Sequence, residues 1–342
     1  MKNGGNVGLL IRHPQNPILT ARDWPYPINT VFNPGAVLLP DGVTLLLCRV
    51  EDFRGHSHLC AARSANGIDG WVIDPEFTLG PDLENHPEEI FGVEDPRITY
   101  LPELGRYAVL YTSYGEGGPG VSLALTEDFR VFERKGVVMP PEDKDAALFP
   151  RRIGGRISAS GAPGAASSAN GRWALIHRPI TPRGAHIWMS YSPDLRHWGD
   201  HTMILRARRG AWWDANKVGL CCPPIETERG WLLLYHGVRM NAAGCLYRMG
   251  AALMDLSNPE RCLLRGDEWL FSPEALYEVQ GDVGNVVFPC GFTVLPDGDT
   301  LRLYYGAADT CIALASASLR GILKWLDRKG PPPVEVRPTT PG

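Results

Sequence analysis

A glycine turn followed by a run of apolar residues recurs five times along the chain. The glycines of these turns are Gly42, Gly105, Gly171, Gly230 and Gly298, which lie 59 to 68 residues apart. Each apolar run is rich in β-forming residues and ends in a polar or aromatic residue, as in the segment 230–236. Short apolar runs bounded by turn residues are typical of β-strands. The pattern therefore predicts five copies of one strand-rich unit.

A second apolar segment follows the first in each unit. These second segments span residues 59–63, 121–126, 186–192, 249–256 and 311–317. A mostly-β unit repeated five times predicts an all-β fold, a five-bladed β-propeller, because radial repetition leaves no long sheet edge exposed. The steps are long for a four-stranded blade, so we expect large functional loops. A pair of β-sandwiches is the structural alternative.

Three segments lie outside this repeat. Residues 155–170 are rich in Gly, Ala and Ser, which predicts a flexible inserted loop. Helical spacing of apolar residues predicts a short terminal helix over 319–328. The Pro-rich stretch 330–342 predicts a disordered tail. We therefore expect a single catalytic domain over residues 1–329.

Composition and charge narrow the class of protein. The formal net charge of −4 gives no reason to expect nucleic acid or an anionic membrane as a partner. The sequence contains neither the apolar core of a secretory signal nor a run of ~18 apolar residues that could span a membrane. The eight cysteines contain no CxxC pair, which favours reduced thiols and a cytoplasmic protein. Ten Trp and eleven Tyr suit sugar stacking as well as β-sheet cores.

The segment 92–97, with the sequence GVEDPR, is the strongest candidate for chemistry. Pro96 fixes its own backbone and biases Asp95 away from helical geometry. The segment therefore predicts an extended turn that presents one acid at the mouth of a strand. A charged hexapeptide of this kind contributes nothing to a core, so we expect it to serve chemistry.

Charged or hydrogen-bonding side chains stand at or just after the strand ends of the other units. They include Arg49, Arg178, His236 and Asp309, and Lys217 follows a Trp pair. In a propeller, equivalent strand ends converge on one axial funnel. Several cations beside a lone acid favour an anionic nucleophile, since an inverting hydrolase uses two carboxylates ~6.5–9.5 Å apart to activate water. Arg binds phosphate through two parallel N–H groups, and Lys binds it as a point charge. Phosphate already carries negative charge, so it needs no general base.

Two other signals compete with this interpretation. His56, His58 and Cys60 alternate along one strand and could bind Zn²⁺, but the segment shows no fourth ligand and the chemistry above needs no metal. Glu94 could be a second catalytic carboxylate. Because neighbouring residues on an extended chain point in opposite directions, we expect Glu94 to orient Arg97 or a backbone amide instead.

Over nearly all of residues 8–326 the chain resembles glycoside hydrolase family 130, the inverting β-mannoside phosphorylases and related mannosidases. The resemblance rests on the motifs at residues 32–36, 48–52, 92–97, 145–150, 177–179, 213–217, 235–238, 285–289 and 305–309. It implies a five-bladed propeller with an axial site. It also implies that Asp95 delivers a proton to the glycosidic oxygen, by way of the mannosyl 3-hydroxyl, while phosphate attacks the anomeric carbon. The products would be α-mannose 1-phosphate and a shortened acceptor.

The resemblance also assigns the remaining site residues. Phosphate ligands map onto Arg178, Lys217 and His236, with one more cation from Lys144, Arg151 or Arg152, of which Arg151 is preferred. The implied substrate-binding residues are Asn33, Arg49, Lys144, Tyr247, Asn285 and Asp309. Asn33, Arg49 and Asp309 would hold the mannosyl unit, and Tyr247 and Asn285 the acceptor.

No cofactor and no metal is implied, and phosphate is a co-substrate. The expected partners are a β-mannoside oligosaccharide and phosphate. Members of the family commonly self-associate, so a homo-oligomer is compatible with the resemblance. Two alternatives stay open: an inverting β-mannosidase that uses water, and a sugar-binding propeller without catalysis. Members that hydrolyse lose the basic phosphate ligands, which this chain keeps. The insertion at 155–170 departs from the family pattern.

Overall fold

A computed structural model describes residues 8–154, 171–242 and 244–331. The regular secondary structure of the described chain is almost all β-strand, as predicted. Its α-helices are a single turn, α1 (Leu276–Val279), and the C-terminal helix α2 (Leu319–Lys329). The helix predicted over 319–328 is thus confirmed. No helix of this described part is both long and apolar enough to cross a membrane.

The strands form four sheets. The chain starts with the short β1 (Ile11–Arg12). The first sheet contains β2 (Thr30–Leu38), β3 (Thr44–Glu51), β4 (Ser57–Ser64) and β5 (Val72–Ile73). The second contains β6 (Val93–Leu101), β7 (Arg106–Gly115), β8 (Gly118–Thr126) and β9 (Glu133–Met139). Short 3₁₀ turns, Ala21–Asp23 and Pro87–Glu89, precede β2 and β6.

The third sheet has ten strands. They are β10 (Asp143–Leu148), β11 (Trp173–Thr181), β12 (Gly184–Ala185), β13 (Ile187–Ser192), β14 (Gly199–Leu205), β15 (Lys217–Leu220), β16 (Ile225–Thr227), β17 (Gly230–Asn241), β18 (Gly244–Met254) and β19 (Cys262–Arg265). Two antiparallel runs, one starting at β10 and one at β15, are joined where β12 pairs in parallel with β15. The predicted apolar runs are the central hairpins β11/β13 and β17/β18.

The last sheet contains β20 (Val287–Val294), β21 (Thr300–Ala307) and β22 (Cys311–Ser318), and its edge is completed by β1. Ile11 pairs with Ser316, so the first described strand is hydrogen-bonded to the last one. Apolar side chains fill the space between neighbouring sheets. Leu45 packs with Val109 of the second sheet, and Leu46 with Tyr304 of the last sheet. The first sheet therefore contacts both the second and the last.

Three strands that lead into the site share one irregularity. In β2, β6 and β10 the pairing register shifts after the second or third residue, at Asn33, Asp95 and Asp145. These residues have positive φ angles of 45°, 50° and 54°. Asn and Asp tolerate this left-handed conformation better than most residues. Each bulge re-aims a polar side chain away from the regular alternation, and this places the site.

The predicted inserted loop, 155–170, and the tail beyond residue 331 lie outside the described residues.

Candidate active site

The carboxylate of Asp95 lies at the centre of a buried polar cluster. Its Oδ1 accepts hydrogen bonds from Asn33 Nδ2 at 2.9 Å and from Arg49 NH1 at 3.0 Å. Asp95 is 7% exposed and Asn33 4%. Arg49 is itself held by Ser57, whose Oγ accepts from its Nε at 2.9 Å. The structure therefore brings together three of the predicted site residues: the candidate acid and two predicted sugar ligands.

Local sequence explains this convergence. Pro34 and Pro96 follow Asn33 and Asp95 at the bulges of β2 and β6, where no ladder N–H is required. Across from Asn33, Gly306 leaves room for the amide: a Cβ at position 306 would lie 2.0 Å from Asn33 Oδ1. A side chain there cannot coexist with the observed Asn33.

Glu94 is placed differently from the expectation. Its carboxylate accepts from Arg49 NH2 at 3.1 Å and lies 3.8 Å from Lys144 Nζ. The expectation that it orients Arg97 or a backbone amide is wrong. The bulge at Asp95 breaks the alternation of side chains on which that expectation relied, so adjacent carboxylates reach the same arginine.

Arg97 connects the two halves of the site. Its side chain is 1% exposed and donates to the carbonyl oxygens of Cys221 at 2.7 Å and Leu220 at 2.8 Å. It also contacts the Asp95 carbonyl at 3.2 Å and Asp145 Oδ1 at 3.3 Å. A buried guanidinium with this many partners holds β6, β10 and β15 in fixed relation.

Asp145 organises the second half, and sequence reasoning missed its role. Its Oδ2 accepts from Arg178 Nε at 2.9 Å and lies 3.5 Å from His236 Nε2. Burial alone would raise the pKa of Asp145, but Arg178, His236 and Arg97 together lower it well below the usual range. Asp145 is therefore ionised. The signal that could have found it is its equivalence to Asn33 and Asp95 near the start of an inner strand.

His236 is neutral at pH 7, because burial lowers its pKa to about 4. It was expected as part of a cationic set, and it contributes a hydrogen-bonding group instead. Its Nδ1 is buried without a partner among the described residues, so it can face a ligand. Gly219 makes this position available, since a Cβ there would lie 2.2 Å from Asp145 Oδ2 and 2.5 Å from His236 Cε1.

We call Lys144, Arg178 and Lys217 the cation group. Arg178 pairs with Asp145, and Lys144 lies near Glu94. Lys144 is opposite Arg178 in the β10/β11 pairing. Lys217 lies two residues before Gly219 on β15, roughly 7 Å along the same strand face. Within the described ranges, Lys217 forms no ion pair, and Arg178 uses only Nε and its backbone amide in hydrogen bonds. The ammonium and the terminal guanidinium nitrogens are left for a ligand.

The placement of Arg151 corrects the preferred choice of a further phosphate ligand. Arg151 forms a bidentate pair with Glu226 at 2.7 and 3.0 Å and stacks over Trp231. In the pairing of β16 with β17, the backbone of Glu226 lies opposite Trp231. His236 lies five residues further along β17, so it is roughly 16 Å from Trp231 along the strand. Arg151 follows the far end of β10, whereas the site lies at its start. Arg152 is likewise engaged elsewhere, with Glu103 at 3.0 Å. Of the three candidates, only Lys144 is at the site.

The remaining predicted residues lie around this centre. The ring of Tyr247 packs 5.9 Å from His236, between centroids. Burial raises the pKa of Asp309 to about 7. The charge of Arg49 opposes this rise and that of Asp95 adds to it, so the three groups interact electrostatically. Asn285 is exposed immediately before β20, with a φ of 62°, and no contact in the described chain links it to the cluster.

Asp95 itself has a lowered pKa. Burial would raise it, but the charges of Arg49 and Lys144 and the Asn33 hydrogen bond outweigh burial.

Metal binding gains no support from the described residues, which contain no cluster of three His, Cys, Asp or Glu side chains suited to an ion. His58, from the zinc alternative, contacts the Tyr26 hydroxyl at 2.9 Å and stacks on Phe77.

The described chain is all-β, and its strand ends present a buried acid beside arginine and lysine side chains, an arrangement suited to proton transfer next to a bound anion. The family model described as beta-1,4-mannooligosaccharide phosphorylase, glycoside hydrolase family 130, matches residues 12–328. The chain belongs to this family, as its motifs suggested.

Similar proteins of known activity include two that match most of the chain. The 1,2-beta-oligomannan phosphorylase of Thermoanaerobacter sp. is 35% identical over 85% of this chain and 91% of its own length. The beta-1,4-mannooligosaccharide phosphorylase of Ruminococcus albus is 31% identical over 92% of this chain and 90% of its own. The solved beta-1,2-mannobiose phosphorylase of Listeria innocua, in complex with beta-1,2-mannobiose, is 30% identical, with a TM-score of 0.80 over 94% of this chain and 99% of that one.

Proposed function

We propose that this chain is an inverting β-mannoside phosphorylase. It would cleave short β-mannosides with inorganic phosphate and release α-D-mannose 1-phosphate and a shortened acceptor, in a reversible reaction. The names and coverage of its relatives support this substrate class. The observation that carries the proposal is the cation group near Asp95: Arg178 is linked to Asp95 through Asp145 and Arg97, and Lys144 lies beside Glu94.

The reaction balances with the residues present. Phosphate, as HPO₄²⁻, forms a bond from oxygen to the anomeric carbon while the glycosidic C–O bond breaks on the opposite face. Protonated Asp95 supplies the proton that the leaving oxygen takes, by way of the mannosyl 3-hydroxyl. The new phosphate ester carries one acidic proton, and transfer of that proton to Asp95 restores the protonated acid. General acid catalysis of this kind contributes roughly 10²- to 10⁴-fold.

Each side chain has a part in this scheme. Asn33 and Arg49 fix the carboxylate of Asp95 and contact the mannosyl unit. Asp309 borders the same subsite, and Tyr247 and Asn285 are candidates for the acceptor. Lys144, Arg178 and Lys217 bind the phosphate oxygens as charges. Neutral His236 carries its proton on Nε2, which faces Asp145, so its Nδ1 accepts a hydrogen bond from the protonated oxygen of HPO₄²⁻.

We also propose that the sheets form five blades around one axis. The inner strands β2, β6, β10, β15 and β20 support this arrangement, because each run of antiparallel strands starts with one of them. In addition, β1 completes the last sheet beside the first, as closure of a ring requires. The eight free cysteines fit a reducing compartment, so we propose a cytoplasmic protein.

Hydrolysis by water is the rival reaction, and Asp145 is the residue that would favour it as a second buried carboxylate. Its oxygens are committed to Arg178 and Arg97, and its pKa is lowered, which makes it a poor general base. A binding protein without catalysis would need neither the acid nor the cations.

The test is incubation of the protein with β-1,4- and β-1,2-mannobiose, each with and without phosphate. We expect mannose 1-phosphate only when phosphate is present, and the better disaccharide identifies the linkage. Free mannose released at the same rate without phosphate would establish hydrolysis instead. Binding of either disaccharide with no turnover, unchanged in Asp95→Asn, would establish a non-catalytic protein.

One lysine variant tests the cation group directly, and one arginine variant is its control. Lys217→Ala removes an unpaired charge at the site, so we expect KM for phosphate to rise by roughly tenfold or more. Arg151→Ala is the matched control, because it removes a cation paired with Glu226 at the other end of β10. Equal effects of the two variants would contradict the assignment.

A further inference from the structure

A chain of hydrogen bonds lies directly behind the cation group. Asp143 Oδ2 is 2.5 Å from His177 Nδ1, and His177 Nε2 is 2.8 Å from Ser190 Oγ. Ser190 Oγ is in turn 2.7 Å from Nδ1 of His201, which is exposed. The first three residues are each at most 3% exposed. None of them has a part in the reaction described above.

Asp143 holds the backbone of both neighbouring cations. Its Oδ1 accepts from the amide N–H of Lys144 at 2.9 Å and from that of Arg178 at 3.0 Å. The two cations face each other across β10 and β11, next to the bulge between Lys144 and Ala147. Because a bulge disrupts the ladder, these amides need another acceptor, and the carboxylate of Asp143 supplies it.

Arg178 is therefore fixed twice from one strand. Asp143 holds its amide, and Asp145, two residues further along β10, holds its Nε. The backbone and the first part of the guanidinium are both set by buried carboxylates. The terminal nitrogens keep one direction, which a multidentate anion requires.

His177 completes the hydrogen bonding of Asp143. A carboxylate only accepts, so Nδ1 carries the proton that is donated to Asp143. In the neutral ring Nε2 then accepts from the Ser190 hydroxyl, and Ser190 accepts from His201. Every polar side-chain atom of Asp143, His177 and Ser190 then has a partner, which is the condition for a rigid polar network.

We propose that Asp143, His177 and Ser190 form a positioning network that sets the affinity of the site for phosphate, with His177 as the decisive residue. The inference rests on the proposed function for the identity of the anion. His177 contacts neither substrate nor phosphate in this scheme. It acts through Asp143 on the backbone of Lys144 and Arg178.

Two amide variants of His177 separate its two hydrogen bonds, because each can replace one of the two ring nitrogens. The side-chain amide nitrogen of Asn occupies the place of Nδ1, and that of Gln the place of Nε2. His177→Asn keeps the bond to Asp143, and His177→Gln loses it. We expect His177→Gln to weaken binding of inorganic phosphate by roughly tenfold or more, and His177→Asn by no more than about threefold. Isothermal titration with inorganic phosphate measures this without turnover.

Steady-state kinetics give the second readout. In His177→Gln, KM for phosphate should rise with the phosphate dissociation constant while KM for the mannoside stays within about twofold. A purely structural role would lower both affinities and the melting temperature together in both variants, and that result overturns the proposal. Wild-type phosphate affinity in a folded His177→Gln protein also overturns it.

Two further variants complete the test. His201→Ala is the matched control at the exposed end, because Ser190 can still donate to His177 without it, and phosphate affinity should be unchanged. If His177→Gln does not fold, Ser190→Ala decides: a selective loss of phosphate affinity supports the network, and no loss refutes it. A wild-type protein that does not bind phosphate refutes both this inference and the proposed function. One that binds phosphate but does not turn over refutes only the function.

Discussion

Substitution of Gly306 by alanine isolates the contact that holds the candidate acid. A Cβ at this position would lie 2.0 Å from Asn33 Oδ1 and 2.8 Å from its backbone nitrogen. No φ in the left-handed region is involved at Gly306, so the change adds a clash without adding backbone strain. Because one of the atoms struck belongs to the backbone, rotation of the Asn33 side chain cannot relieve it, and the β2 bulge must shift.

The expected loss follows from the hydrogen bond that the shift breaks. Asn33 donates to Asp95 at 2.9 Å in a buried setting. A hydrogen bond to a charged group contributes about 1.5–3 kcal/mol, which corresponds to roughly 10- to 150-fold. We therefore expect Gly306→Ala to lower kcat/KM for phosphorolysis by that factor, through the mannoside side of the reaction.

Gly199→Ala is the matched control, since a Cβ there meets nothing within 4 Å and the backbone conformation is ordinary. Both variants should be folded by circular dichroism, and their kcat/KM values for the mannoside at saturating phosphate are then compared with the wild type. If Gly306→Ala keeps wild-type kcat/KM, the Asn33 contact does not position the acid and the argument fails.

Three other changes probe separate parts of the site. Gly219→Ala would clash with Asp145 and His236, so it should raise KM for phosphate more than KM for the mannoside. Asp309, whose pKa is about 7, holds a proton in the fold that an ordinary aspartate loses near pH 4. Wild-type stability should therefore fall as pH rises from about 4 to 7, and Asp309→Asn should remove this fall in melting temperature. Phosphate binding should take up protons in calorimetry across buffers, and Asp95→Asn should reduce the uptake.

The sequence predicted the strand content and much of the site for a common reason. Apolar runs after glycine turns formed the central hairpins, and residues at equivalent strand ends converged. Asn33, Arg49 and Asp95 came together in this way. Arg178 and His236 met around Asp145 for the same reason.

The misses have distinct physical causes. Glu94 was assigned by the period of an extended strand, which a bulge at its neighbour overrides. Arg151 was preferred among the three cations that the resemblance offered, but it follows the far end of the six-residue strand β10, whereas Lys144 lies near its start. The neutrality of His236 depends on burial by Phe288 and other distant residues, which only the assembled fold defines.

The lowered pKa of Asp95 is informative about the choice between phosphate and water. The charges of Arg49 and Lys144 and the Asn33 hydrogen bond favour the ionised carboxylate when no anion is bound, although a proton donor must be protonated. An anion bound at the cation group offsets the charge of Lys144 and adds negative potential, and both effects raise the pKa of Asp95. Each unit of that rise corresponds to about 1.4 kcal/mol. The acid is thus protonated most readily when the nucleophile is in place. Water carries no charge and cannot produce this effect, so the arrangement favours phosphorolysis over hydrolysis.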